Sequence, residues 1–197
     1  AHGMMPQNGI NGATYLALFL SQFDFQGNAK KYLDLIAETL HKDFFGEKVG
    51  LAYTDPKMGE LTMNAGVFHF NKESADNTIA LNFRYPQGVD VDGIKAGLEK
   101  LEGPKAVSLS EHGHVPHYVP VDDPMVETLL SVYEKQTGLK GHEQIIGGGT
   151  FGRLLKRGVA YGAMFPGYVN TMHQANEFTE VEDLYRAAAI YAEAIYE

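Results

Sequence analysis

LTMNAGVFHFNKESADNTIALNFRYP, residues 61–86, is the stretch whose pattern decides the architecture of the first half of the chain. Leu61, Met63 and Ala65 alternate with other residues, and Ile79, Leu81, Phe83 and Tyr85 alternate more cleanly still, with polar residues between. A period of two sends successive side chains to opposite faces of a strand, so each run offers one apolar face and one wet face. NKESADN (71–77) between them supplies turn formers. The stretch therefore predicts an antiparallel hairpin over 60–85, ended by Pro86, which cannot donate to a ladder. Arg84 falls on the polar side of the alternation, where periodicity alone reads it as a solvated arginine.

Toward the N-terminus the period changes to that of helices. Residues 1–10 (AHGMMPQNGI) read as loop, with Pro6 and the Asn8-Gly9 turn signal. A helix is expected over 13–23 with Tyr15, Leu16, Phe19 and Phe23 on one face. A second begins near Asn28 as N-cap and carries Leu33, Ile36, Ala37, Leu40 and Phe44 at helical spacing. After the hairpin, Asp90 caps a short helix with Val91, Ile94, Leu98 and Leu101 as its apolar stripe, and KAVSLS (105–110) reads as a strand. The order helix, strand, strand, helix, strand is that of a split βαβ-like α+β layer, complete if a first strand precedes Ala1. The chain also opens on Ala-His-Gly, with neither an initiator Met nor a signal pattern, which reads as a piece of a longer protein.

Residues 111–122, with two prolines and three histidines, read as a linker. Beyond it Asp123 caps a helix over 124–137, Pro124 takes its first position and Gly138 closes it. Strands are expected at 144–146 and 159–165, with a helical turn at 150–156 between them. The last helix opens on a capping box, Thr179 and Glu182, and runs on Val181, Leu184, Ala188, Ala192 and Ile195. Strands alternating with helices make this half α/β.

Bulk properties exclude several classes of function. A net charge of −9 argues against a nucleic-acid partner, whose phosphates call for a basic surface. No apolar run approaches the ~20 residues of a membrane span. Zero cysteines leave no disulfide framework and no thiolate metal site, which fits the cytoplasm and restricts any metal to His and carboxylate ligands. At 197 residues the chain holds one large domain or two small ones, each able to bury a core.

Three groups of residues invite chemistry. Gly147-x-Gly149-x-x-Gly152 matches the dinucleotide fingerprint after a strand, but the next strand at 159–165 comes too soon and ends without the acidic residue such a unit needs. His112, His114 and His117 form H-x-H-x-x-H, either a zinc-binding set or a solvated linker. His173 follows an apolar strand on a polar loop, with Glu177 four residues on to orient its ring; it is either polar surface or a functional group. Arg153 closes GGGTFGR (147–153) with a planar fork suited to a carboxylate or phosphate.

AHGMMPQNGINGATYL (1–16), TIALNFRYP (78–86), IGGGTFGR (146–153), GAMFPG (162–167) and TMHQANEF (171–178), in this order and spacing, resemble the PepV-type dipeptidases. These belong to the zinc-dependent peptidase family that also holds carnosinase, aminoacylase and carboxypeptidase G. The resemblance covers essentially the whole chain. It implies a catalytic α/β domain carrying an inserted lid, with residues 1–112 as the later part of the lid and 113–197 as the C-terminal part of the catalytic domain. It implies that His2 stabilises the oxyanion of a tetrahedral intermediate. Arg84 would grip the C-terminal carboxylate of a dipeptide, and Gly148, Gly149 and Thr150 would cradle the same group. Arg153 belongs to that motif with a less defined part. His173 would be the last ligand of a two-zinc site. In the family the other ligands and the general-base glutamate come from an N-terminal catalytic segment that this sequence lacks. The alternatives are a non-catalytic lid or binding piece, and a related amidohydrolase that cleaves N-acyl amino acids.

Overall fold

Asn11 opens the first helix, α1 (Gly12–Leu20), by accepting from the Thr14 backbone N–H at 3.2 Å. The same side chain donates to the Ala65 carbonyl at 2.7 Å, so the cap also ties the helix to the sheet. The computed structural model describes residues 3–73, 76–104, 106–110, 113–162, 164–169, 171 and 175–197. It divides into two units, Ala1–Pro116 and His117–Glu197.

In the first unit α1 packs through small residues. Thr14 and Ala17 are buried, whereas Tyr15, Leu16, Phe19 and Phe23 are exposed, the reverse of the expected apolar face. Small side chains let the helix lie close to its neighbour, which the bulky stripe would not. That neighbour is α2 (Gly27–Leu35), which runs on into a π-helical turn over Ile36–Leu40. Gln26, not Asn28, is its N-cap, with extended backbone and no side-chain cap bond, and Gly27 after it takes a left-handed φ of 61°. Ile36 and Leu40 are buried against Ala17, Val49, Met63 and Ala65.

A two-residue ribbon, β1 (Thr54–Asp55) with β2 (Gly59–Glu60), precedes the main hairpin. β3 (Thr62–His69) pairs antiparallel with β4 (Thr78–Arg84) as the alternation predicts. The register sets Thr62 opposite Arg84, Met63 opposite Phe83 and Ala65 opposite Leu81, with a bulge between Ala65 and Val67. Its apolar face serves two clusters. Met63 and Ala65 face the helices above, and the fully buried Leu61 meets Ile94 and Leu98 of α3 (Val91–Leu98). Asp90 caps α3 as expected, accepting from Gly93 N at 2.7 Å. The strand expected at 105–110 does not form a ladder among the described residues, though Val107 packs on the α3 cluster.

The second unit is built on α4 (Pro124–Thr137) and α5 (Val181–Tyr196). Asp123 caps α4 through Met125 N at 2.9 Å, and Gly138 closes it with φ 70°. Val132, Phe165, Ala187 and Ile190 form the core between the helices. Lys135 and Gln136 reach across to Glu193, and the Tyr161 hydroxyl donates to Leu129 O at 2.6 Å. The capping box at Thr179 and Glu182 does not form: the N-cap is Glu180, one residue too late for Thr179. The described residues of 144–146 and 159–165 form no strand, because a strand is defined by a ladder and none is present there. The fold is thus helices with small antiparallel sheets, an α/β class. Among the described residues no helix is long and apolar enough to cross a membrane.

Candidate carboxylate-binding site

Arg84 ends β4 on the exposed polar face of the hairpin. Its register partner Thr62 donates its hydroxyl to the Gly3 carbonyl at 3.1 Å. A Cβ at Gly3 would lie 3.1 Å from Asn82 Oδ1. The segment that follows His2 is therefore fastened to the same sheet face that carries Asn82 and Arg84. His2 itself lies outside the described residues. Asn82 was not singled out by sequence reasoning; its signal was its place two residues before Arg84 on the same polar face.

In the second unit the glycine run precedes a single 3-10 turn, Phe151–Leu154. That is too short to present a helix N-terminus to a pyrophosphate, and no dinucleotide unit follows among the described residues. Gly148 and Gly149 are exposed, and nothing lies within 4 Å of a Cβ placed at Gly148. A Cβ at Gly149 would fall on the Arg153 guanidinium, 2.8 Å from its Cζ. The planar cation thus lies over the Cβ position of Gly149, and Thr150, next in sequence, is partly buried. A guanidinium over exposed glycine backbone is chemistry suited to a carboxylate, whose oxygens can accept from a planar fork and from amides.

Arg157 is engaged elsewhere. Its Nε and Nη2 donate to Asp123 Oδ2 and Oδ1 at 2.9 and 2.7 Å. The hydrogen bonds from Arg157 hold the Asp123 carboxyl below its ordinary range, and Asp123 in turn pushes the guanidinium up. His117, from the histidine triplet, uses Nε2 to donate to Gly158 O at 2.6 Å. The His114 carbonyl accepts from the Tyr85 hydroxyl at 3.0 Å, and His112 lies outside the described residues. Among the described residues no three His, Asp or Glu side chains gather as a metal site. His173 lies outside those residues too. The structure thus brings Gly148, Gly149, Thr150 and Arg153 into one loop, while Arg84 belongs to the first unit.

Residues 20–197 match peptidase family M20/M25/M40. The chain is 50% identical over 198 residues to the beta-Ala-Xaa dipeptidase of Lactobacillus delbrueckii subsp. lactis, covering 100% of this chain and 42% of that protein. It is 38% identical over 197 residues to the putative dipeptidase YtjP of Bacillus subtilis, covering 100% of this chain and 42% of that protein. A putative dipeptidase of Staphylococcus epidermidis is 38% identical over 201 residues, covering 99% of this chain and 42% of its own length. The chain therefore spans 42% of the length of these relatives.

Proposed function

The chain belongs to peptidase family M20/M25/M40, and from that premise we propose that it is the substrate-holding portion of a dipeptidase. The observation that carries the reading is Arg153 lying over Gly149, whose sequence neighbours are the exposed Gly148 and the partly buried Thr150. This loop receives the C-terminal carboxylate of a short peptide. Arg84 is a second grip on the same group, as the resemblance implies. Fixing the free carboxylate sets the distance to the scissile bond, which restricts substrates to dipeptides and similarly short peptides. His2 donates to the oxyanion that develops when the carbonyl is attacked; charge is worth stabilising there because it appears only in the transition state.

Metal enters the proposal through His173 alone, as one ligand of the two zinc ions that the resemblance implies. The described residues supply no donor set for zinc, so no step of the chemistry is assigned to them through it. The remaining ligands and the general base belong to the portion of the relatives' length that this chain does not match. A cytoplasmic location fits the absence of cysteine.

The test is hydrolysis by zinc-loaded protein containing this chain, with dipeptides set against N-acyl amino acids of the same C-terminal residue. Dipeptides should be cleaved and the N-acyl compounds poorly or not at all. Cleavage confined to the N-acyl compounds would make the protein an amidohydrolase instead, and no cleavage of either would end the proposal.

A further inference from the structure

Exposed glycines bind a carboxylate well only if their backbone is held in one conformation, and glycine backbone loses the most freedom when fixed. The loop 147–158 has no ladder to hold it among the described residues. It is held instead at its C-terminal end. There the backbone closes on itself: a Cβ at Gly152 would lie 2.8 Å from Val159 C, and one at Gly158 would meet the Gly152 carbonyl. Gly158 is buried, so its carbonyl has little access to water, and His117 Nε2 donates to it at 2.6 Å. The adjacent residue, Arg157, makes its two-pronged contact with Asp123, the N-cap of α4. Two consecutive loop residues are thus fastened, one to the start of α4 and one to the segment leading into it.

We infer that His117 and the Asp123–Arg157 pair are positioning residues for substrate binding: they pin the loop 147–158 so that the Gly148 and Gly149 amides and the Arg153 guanidinium keep a single geometry. The inference rests on the carboxylate-cradle reading for its function, and none of the three residues touches the substrate. His117 is thereby a loop tether rather than a metal ligand, and the Asp123–Arg157 pair, although at the surface, acts through geometry more than through its own ion-pair energy.

The experiment uses zinc-loaded protein containing this chain and compares His117→Leu with His117→Gln, whose side-chain amide keeps an N–H at similar reach. Amide exchange of 147–158 and the separate KM and kcat for a dipeptide and for its C-terminal amide are read. His117→Leu should raise exchange across the loop and raise KM for the dipeptide about tenfold with kcat little changed, the size expected for one lost hydrogen bond. The amide substrate should be nearly unaffected, and His117→Gln should restore most of the loss. Arg157→Lys, which replaces a fork by a single point, should shift the same quantities in the same direction, and it stands in if His117→Leu does not fold. Wild-type exchange and KM in His117→Leu and Arg157→Lys, equal KM losses on both substrates, or failure of the Gln variant to rescue would overturn the inference. If the wild type treats the dipeptide and its amide alike, the cradle reading falls instead, and loop exchange alone decides whether His117 is the tether.

Discussion

Gly149 has no room for a side chain because Arg153 already lies there. The obstacle is the end of a flexible side chain, so Gly149→Ala should fold with a stability change below about 1 kcal/mol while displacing the guanidinium. The expected outcome is a higher KM for dipeptides with an almost unchanged Tm, measured by steady-state kinetics beside thermal unfolding. The glycine run and the arginine were legible in the sequence as ligand-binding types. Their contact was not, because it depends on the 3-10 turn between them. A second residue, His41, was silent in the sequence. It is buried beneath α1, with its Nδ1 3.2 Å from Thr14 Oγ1 and its ring edge-on to Tyr15 at 4.6 Å. The Thr14 hydroxyl already donates to Asn11 O at 3.1 Å, so His41 Nδ1 is the donor to Thr14 and Nε2 is the nitrogen that acid must protonate. Burial lowers its pKa, and the Lys42 and Lys48 charges lower it further. A depressed histidine favours the fold above its unfolded value of about 6.5, and that stability is lost as pH falls through the folded value. Urea unfolding between pH 7 and 5 should therefore lose less stability in His41→Gln than in the wild type.

At the scale of elements, Asp43 holds the turn after the π-helical segment. Its buried carboxylate accepts from the backbone of Glu47, Lys48 and Val49 at 2.8, 3.0 and 3.4 Å. Asp43→Ala strands those donors and should cost about 1–3 kcal/mol in denaturant unfolding, whereas Asp43→Asn, which keeps an acceptor, should cost less. The β3–β4 hairpin was the most legible element, because a period of two, a polar turn and a closing proline all agreed. The caps of α3 and α4 were legible for the same reason: Asp90, Asp123, Pro124 and Gly138 each have one physical use in that position. The α1 stripe misled because four large apolar residues outweighed Thr14 and Ala17 in the pattern, while close packing selected the small pair. The strands at 144–146 and 159–165 could not be settled from their own residues, since a ladder requires a neighbour.

At the scale of the molecule, the chain divides into two units. Arg84 and the segment after His2 lie in the first, and the 147–158 loop lies in the second. We expect the isolated 197-residue chain to hydrolyse no dipeptide and to bind zinc weakly. Calorimetric titration checks this, and sub-micromolar binding at two sites would contradict it. The central claim is that Arg84 and Arg153 recognise a substrate carboxylate, and it is tested by crossing each arginine with that group. In zinc-loaded protein containing this chain, kcat/KM is measured for a dipeptide and its C-terminal amide in wild type, Arg84→Met and Arg153→Met. Each substitution should lower the dipeptide value by about 10–100-fold, the size of a charge-assisted contact, and leave the amide value close to wild type. Equal losses on the two substrates, or none on the dipeptide, would contradict the account.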